Sequence, residues 1–195
     1  MFLMQTEEDV LDLIKSDEWM MEIINATKSL NLPDWWVCAG FVRSKVWDTL
    51  HGYSQRTQMP DIDVIYFDSK ELSEEKEKQL ERELMQIYPE APWSVKNQAR
   101  MHTINRVSPY GSSLDAMSKF PETATAIGVK LDSENKLVLA APCGIQDLVN
   151  LTVKPTSSFQ ESAERVTIYE NRLREKNWKS TWPNITLFHA EGVKS

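Results

Sequence analysis

The chain has 195 residues, of which 41% are hydrophobic and 26% are charged, so it can form a buried core and is not a wholly disordered protein. No apolar run approaches the roughly 20 residues that span a bilayer, and the two cysteines have neither metal-finger nor disulfide-framework spacing. We therefore expect a cytoplasmic protein without a membrane partner. The net charge of −7 also disfavours non-specific binding to duplex DNA.

Hydrophobic periodicity predicts a chain that alternates between helices and strands. The predicted elements, in chain order, are helices at 6–14 and 17–29, a strand at 35–38, a helix at 41–50, a strand at 61–67, a helix at 73–88, a strand at 92–97, a short helix at 113–120, strands at 126–131 and 136–140, and a helix at 159–176. No internal repeat, low-complexity stretch or interdomain linker interrupts this order. We predict one domain of α+β class over residues 1–195.

Two aspartates form the most informative local pattern in the sequence. Asp61 and Asp63 stand at the start of a predicted strand, where residues i and i+2 point to the same face while Ile62 points into the core. Two carboxylates this close repel each other unless a cation lies between them, and Mg²⁺ (or Mn²⁺) favours such oxygen ligands. The pair is therefore a candidate metal-binding and catalytic site, although an Asp-x-Asp pattern alone is more typical of a solvated strand end.

The segment before this strand suits a phosphate group. A predicted strand ends at Ala39 and Gly40 and a helix begins near Phe41, so backbone amides at the helix start face outward. Gly40 has no β-carbon and lets a ligand approach the backbone, while Arg43 in the first turn adds a forked cationic donor. Ala39, Gly40 and Arg43 are therefore predicted nucleotide-binding residues. A plain tight turn and a surface arginine are the alternatives.

These residues carry a resemblance to a known superfamily. Residues 36–43 followed by 61–64 resemble the signature of the nucleotidyltransferases related to DNA polymerase beta: a strand ending in a small residue and glycine, a helix, then a strand with Asp-x-Asp. Further blocks at 47–52, 97–102, 121–128, 143–148 and 178–183 resemble a bacterial nucleotidyltransferase-like family of uncharacterised role. The resemblance implies a polymerase beta-like fold, with helices flanking a mixed central sheet, and a site for a nucleoside triphosphate with magnesium. It implies no particular acceptor.

The predicted third strand departs from the superfamily pattern. Active members usually carry a third carboxylate on a neighbouring strand, whereas residues 93–97 contain no acid. Asn97 is the residue predicted for that place, and its amide oxygen suits a metal ligand but not a general base. Asn97, and Arg100 in the polar run that follows, are further predicted nucleotide-binding residues. A structural network or a solvated sheet edge is the alternative for this polar cluster.

These residues predict an enzyme that moves a nucleoside monophosphate group from a nucleoside triphosphate to a hydroxyl of an acceptor, with Asp61 and Asp63 holding the metal. The acceptor is left open between a small molecule, an RNA and a protein. The missing carboxylate supports a second hypothesis, a catalytically degenerate module that binds a nucleotide or a nucleic-acid end. A purely structural protein is the third.

Overall fold

The computed structural model describes residues 4–190. The helices are α1 (Glu7–Lys15), α2 (Glu18–Ser29), α3 (Gly40–Leu50), α4 (Glu74–Ile87), α5 (Gln98–Asn105), α6 (Ser113–Met117), α7 (Gln146–Val149), α8 (Ala163–Lys176) and α9 (Trp178–Thr181). The strands are β1 (Trp36–Cys38), β2 (Ile62–Tyr66), β3 (Trp93–Asn97), β4 (Gly128–Leu131), β5 (Leu137–Ala140), β6 (Thr152–Val153) and β7 (Thr186–Leu187). Short 3-10 turns lie at Thr123–Thr125 and Ser157–Gln160.

Short polar side chains begin most of the longer helices. Thr6 and Asp9 form a capping box at α1, in which each side chain accepts a hydrogen bond from the other residue's backbone amide. Asp17, Ser73 and Ser162 cap α2, α4 and α8 by accepting a hydrogen bond from an amide in the first turn. Helix α3 differs because no side chain caps its start.

The central sheet has the strand order β3-β2-β1-β4-β5. β2 and β3 run parallel and are connected through α4, as a parallel pair requires, whereas the other neighbouring strands are antiparallel. β6 and β7 form a separate parallel pair. The mixed sheet with its flanking helices confirms the predicted α+β class.

The two faces of the central sheet are covered differently. One face carries the main hydrophobic core, where Val37 and Val64 belong to the same buried cluster as apolar residues of α1, α2 and α3. The opposite face carries a smaller buried cluster of Trp36, Cys38, Ile65 and Met117. Cys38 pairs with Asp63 across β1 and β2, and paired residues share a face. Asp63 therefore lies on the second face.

The structure differs from the predicted elements after β3. The polar run that follows the strand forms α5, a helix absent from the predicted elements, and the Asn97 side chain caps it by accepting a hydrogen bond from the amide of Ala99. The predicted helix at 159–176 begins at Ala163, after a 3-10 turn, because Ser162 caps it there. Within residues 4–190, no helix combines the length and the apolar character that a membrane span requires.

Candidate functional site

Asp61 and Asp63 lie at the amino-terminal end of β2, on either side of a buried isoleucine. Both aspartates line a cavity of about 200 Å³, and Ala39, Gly40 and Arg43 line the same cavity. The structure thus brings the aspartate pair and the start of α3 together around one space.

Ala39 turns the chain from β1 into α3 with φ = 57° and ψ = −121°, a region that favours glycine. Its amide donates a hydrogen bond to the carbonyl of Ile127 at 2.9 Å, and its carbonyl accepts from the amides of Val42 and Arg43. These bonds hold the strained residue in place. A β-carbon on Gly40 would lie 3.4 Å from Arg43 Nη2, so the glycine keeps the space beside the guanidinium open. With no side-chain cap, the first amides of α3 are available to an anion.

Arg43 is a buried cation, with 9% of its surface exposed. Its guanidinium carbon lies 4.6 Å from the ring centroid of Trp178, 5.2 Å from that of Trp47 and 5.5 Å from that of Trp182. Nη2 donates to Ser44 Oγ at 3.3 Å, whereas the buried Nε has no hydrogen-bond partner among residues 4–190. Burial lowers the pKa of Arg43 to about 10, so the side chain is still charged at neutral pH. A buried, charged donor without a partner is costly unless a ligand satisfies it.

Within the described residues, the aspartate pair lacks a neutralising cation, whereas Nε of Arg43 lacks a hydrogen-bond acceptor. Burial, together with the neighbouring Asp61 carboxylate, raises the pKa of Asp63 to about 6, even though Arg172 and Arg43 act in the other direction. Beneath the pair, burial and the two carboxylates raise the pKa of the Cys38 thiol well above its usual range. Negative charge is therefore concentrated at this end of β2, and a bound cation would relieve it.

Helix α8 supplies a basic wall that the sequence analysis did not assign to the site. Arg172 and Lys176, one helical turn apart, both line the cavity. Arg172 Nε donates to Glu122 Oε1 at 2.5 Å, and Glu122 is fully buried. Glu122 also accepts a hydrogen bond from Thr125 Oγ1 at 2.8 Å, and Thr125 lines the cavity as well. A buried carboxylate thus fixes Arg172 beside the aspartates.

The segment around α9 closes the cavity from a third side. Trp178 and Trp182 line it. The buried Asp48 accepts a hydrogen bond from Trp182 Nε1 at 2.8 Å and bonds from the Thr57 amide and hydroxyl at 2.8 and 2.6 Å. One carboxylate therefore ties the segment after α9 to the loop that precedes β2. Trp178, Thr181 and Trp182, which lie in one of the blocks that carry the family resemblance, thus form part of the candidate site.

Asn97 lies away from this cavity. β3 runs parallel to β2, and the register places Ser94 beside Asp63 and Asn97 beside Tyr66. The position expected for Asn97, next to the aspartate pair in place of a third carboxylate, is therefore wrong. Its amide nitrogen donates to the carbonyls of Asp68 and Glu71, and its oxygen caps α5, so the side chain is occupied in joining β3 to its neighbours.

Arg100 also lies outside the cavity. It is on α5, and its guanidinium donates to the fully buried Glu77 through Nη2 at 2.7 Å and through Nε at 3.2 Å. Glu77 also accepts a hydrogen bond from the backbone amide of Asn97. The polar run after β3 therefore builds a buried network, which is the structural alternative considered for it.

The two aspartates fit a hard divalent cation that takes few ligands from the protein. Within the described residues, no group of three or more histidine, cysteine or acidic side chains is placed to hold a metal ion. Magnesium commonly binds through one or two carboxylates together with water and substrate phosphates. The chemistry of the donors thus suits an ion that arrives with a phosphate ligand.

Comparisons with known proteins identify the family of the chain. The model of a nucleotidyltransferase family matches residues 25–187, which is most of the chain. The chain belongs to this nucleotidyltransferase family. A solved structure described as revealing a CCA-adding enzyme head domain matches with a TM-score of 0.85 and 36% sequence identity, and covers 95% of this chain and 97% of that one. The predicted superfamily and the predicted class of enzyme, a nucleotidyltransferase, are confirmed.

More distant nucleotidyltransferases share the fold. The Thermotoga maritima CCA-adding enzyme complexed with tRNA matches with a TM-score of 0.54 and 14% identity, and an apo CCA-adding enzyme matches with a TM-score of 0.51 and 13% identity. Each match covers 96% of this chain but only 43% and 44% of the longer enzymes. The chain thus corresponds to less than half of those proteins. No curated protein sequence matches it.

Proposed function

We propose that this nucleotidyltransferase is magnesium-dependent and moves a nucleoside monophosphate group from a nucleoside triphosphate to a hydroxyl of an acceptor. The observation that carries the proposal is the pairing of unmet charges in one cavity. The Asp61–Asp63 pair needs a cation, and the buried Nε of Arg43 needs an acceptor. A nucleoside triphosphate with its magnesium ion supplies both.

The residues around the cavity have distinct roles in this proposal. Asp61 and Asp63 provide carboxylate ligands for Mg²⁺ (or Mn²⁺), which when bound neutralises charge on the phosphate oxygens. The amides at the start of α3, beginning with Gly40, receive phosphate oxygens. Arg43 and Arg172, which both line the cavity, provide the remaining positive charge.

The reaction balances with these groups. The acceptor oxygen forms a bond to the α-phosphorus of the triphosphate, the bond from that phosphorus to the bridging oxygen of the β-phosphate breaks, and pyrophosphate leaves. The hydroxyl proton is released to water. The contribution of the chain is to position the two reactants and to stabilise the charge on the phosphoryl oxygens, which is where phosphoryl-transfer enzymes obtain most of their rate.

A specific observation also supports the second hypothesis, a degenerate module that binds without turnover. In the described part of the chain, the neighbour of Asp63 on β3 is Ser94, and no third carboxylate joins the pair. Such a module would bind the triphosphate with magnesium and would transfer nothing.

Transfer of radioactive label separates the hypotheses. The purified protein is incubated with α-labelled nucleoside triphosphates, MgCl₂ and separate pools of RNA, small metabolites and proteins. Transfer that is lost in Asp61→Ala and Asp63→Ala and retained in the surface control Glu83→Gln supports the enzyme. Magnesium-dependent triphosphate binding without transfer supports the module. If the protein binds no triphosphate, or binds it equally well in Asp61→Ala, both hypotheses about this cavity fail.

A further inference from the structure

A second and larger cavity adjoins the candidate active site. It has a volume of about 570 Å³ and lies between α5, α6 and α8. Arg172 lines this groove and also lines the cavity that contains the aspartate pair. The two spaces therefore meet at one arginine, whose position is fixed by the fully buried Glu122.

The groove is basic in a protein that is acidic as a whole. Its lining includes four cationic side chains and one acidic side chain, Glu164, while the chain carries a net charge of −7. The cationic residues are Arg106, Lys119, Arg165 and Arg172. A local concentration of positive charge against the overall balance favours an anionic ligand at this place.

Two of these cations are not neutralised by a carboxylate in the described part of the chain. Lys119 pairs with Asp115 at 2.8 Å, and Arg172 pairs with Glu122. Arg165 instead donates to the carbonyl and hydroxyl of Ser158. Arg106 is exposed, follows α5 in a left-handed conformation, and forms no side-chain hydrogen bond or ion pair within residues 4–190. Arg106 and Arg165 therefore have charge available for phosphates.

Two of these cations lie beside aromatic rings, of which Phe159 is partly exposed and Tyr110 is buried. The guanidinium carbon of Arg165 lies 5.1 Å from the ring centroid of Phe159, and Lys119 Nζ lies 5.3 Å from that of Tyr110. Proteins hold single-stranded nucleic acid with two kinds of group. Cationic side chains follow the phosphate backbone, and aromatic rings stack on the bases. A duplex has its bases already stacked and offers only its charge, which the acidic protein disfavours.

We infer that this groove is the acceptor site and that it holds the hydroxyl-bearing end of a single-stranded nucleic acid. The inference rests on the proposed function, because it assigns the acceptor for that transfer. A strand in the groove places phosphates near Arg106 and Arg165 and a base near the partly exposed ring of Phe159. Its end reaches Arg172, beyond which lie Asp61 and Asp63.

The test compares two double variants with the same change of charge. Arg106→Ala/Arg165→Ala removes both available cations of the groove. Arg174→Ala/Lys179→Ala removes two exposed cations that line neither cavity. Binding of a short, fluorescently labelled single-stranded RNA is measured by anisotropy over a range of salt concentrations. Binding of a fluorescent ATP analogue with MgCl₂ is measured in parallel, with circular dichroism to check folding and Arg106→Ala alone as a variant that disturbs no packed contact.

The groove variant is expected to bind the RNA at least about tenfold more weakly than the wild type. The slope of log affinity against log salt should fall by about 1.4, since each phosphate contact on a single strand contributes about 0.7. Binding of the ATP analogue should change by less than about twofold, and the control variant should behave as wild type in both assays.

Several results would overturn the assignment. The assignment fails if the groove variant binds the RNA as tightly as wild type, or if the control variant loses as much RNA affinity as the groove variant. It also fails if the wild-type protein binds no RNA. Competition by a free nucleoside monophosphate but not by unlabelled RNA would assign the groove to a small nucleotide, and competition by duplex alone would also reject the proposal. If the ATP analogue does not bind wild-type protein, the proposed function is refuted. The RNA titration then still shows whether the groove binds single-stranded RNA.

Discussion

Replacing Asp63 by asparagine is expected to stabilise the metal-free protein, although it removes a residue that the proposed function requires. Burial and the neighbouring Asp61 raise the pKa of Asp63 to about 6, from an ordinary value of 3.8. The folded protein therefore holds this proton more tightly than the unfolded chain does. The resulting stability is complete below the unfolded-state pKa and is lost as the pH rises from about 4 to about 6.

The magnitude follows from the two pKa values. A difference of about two pKa units corresponds to a cost of about 3 kcal/mol once the carboxylate is ionised in both states, near pH 8. At about pH 5 the cost is roughly half as large, since the folded-state carboxyl is still protonated there. Asparagine has nearly the same shape and no charge, so Asp63→Asn should recover up to about 3 kcal/mol near pH 8 and less at pH 5.

Urea unfolding with a chelator present measures this difference at both pH values. The matched control is Glu83→Gln on α4, a half-buried residue whose carboxylate accepts an exposed hydrogen bond from Gln79, and this variant should stay within about 0.5 kcal/mol of wild type. Adding MgCl₂ should raise the stability of wild type and leave Asp63→Asn unchanged, because only wild type keeps both carboxylates for the ion. An Asp63→Asn variant that is no more stable than wild type near pH 8 would refute the reasoning about the raised pKa of Asp63.

Three further substitutions test the surroundings of the cavity. Arg43→Met should weaken magnesium-triphosphate binding by about 10- to 100-fold in calorimetry, since a charged hydrogen bond is lost, and unchanged affinity would remove Arg43 from the site. Ala39→Gly should stabilise the protein by about 0.5–1 kcal/mol in urea unfolding, because glycine tolerates the positive φ, and a loss of stability would contradict the strain. Arg100→Ala should cost about 1.5–3 kcal/mol, because the buried Glu77 loses the charged hydrogen bonds from the guanidinium and keeps the ion pair with Lys96 at 3.6 Å, while triphosphate affinity stays constant. A selective loss of triphosphate affinity would place Arg100 in the site.

The segment from β1 to β2 was predictable because its signals are local. Apolar runs mark the strands, and the small-residue turn marks the start of α3. The period-two geometry of a strand places Asp61 and Asp63 on one side. Each of these signals depends on neighbours within a few residues, so the order of elements and the face of the pair follow without knowledge of the rest of the fold.

The other walls of the cavity depend on contacts between distant parts of the chain. Arg172 and Lys176 are more than 100 residues from the aspartates in sequence, and their spacing of four on a helix is shared by many solvated cations. The buried Glu122, which bonds to Arg172 and to Thr125, fixes Arg172 at the site. Pattern reading along the chain has no means of finding such a contact.

Asn97 shows a different limit, that of competing local signals. A polar residue at a strand end fits either an extended strand with a functional side chain or a helix cap, because asparagine is favoured at both turns and N-caps. In the structure the Asn97 side chain accepts a hydrogen bond from the amide of Ala99 and donates to the carbonyls of Asp68 and Glu71, so it acts as a helix cap. The crossover through α4 makes β3 run parallel to β2, but the register that places Ser94 beside Asp63 depends on packing between the strands and is not encoded in the five residues of β3.

The indoles around Arg43 give the cavity an optical reporter of its own. Three of the seven tryptophans of the chain, Trp47, Trp178 and Trp182, have ring centroids 4.6–5.5 Å from the guanidinium carbon. An anion that draws the guanidinium towards itself changes the electric field at all three rings, and indole emission responds to that field. Occupancy of the cavity is therefore readable from the ultraviolet fluorescence of the unlabelled protein, so nucleotides can be ranked by titration without a known acceptor.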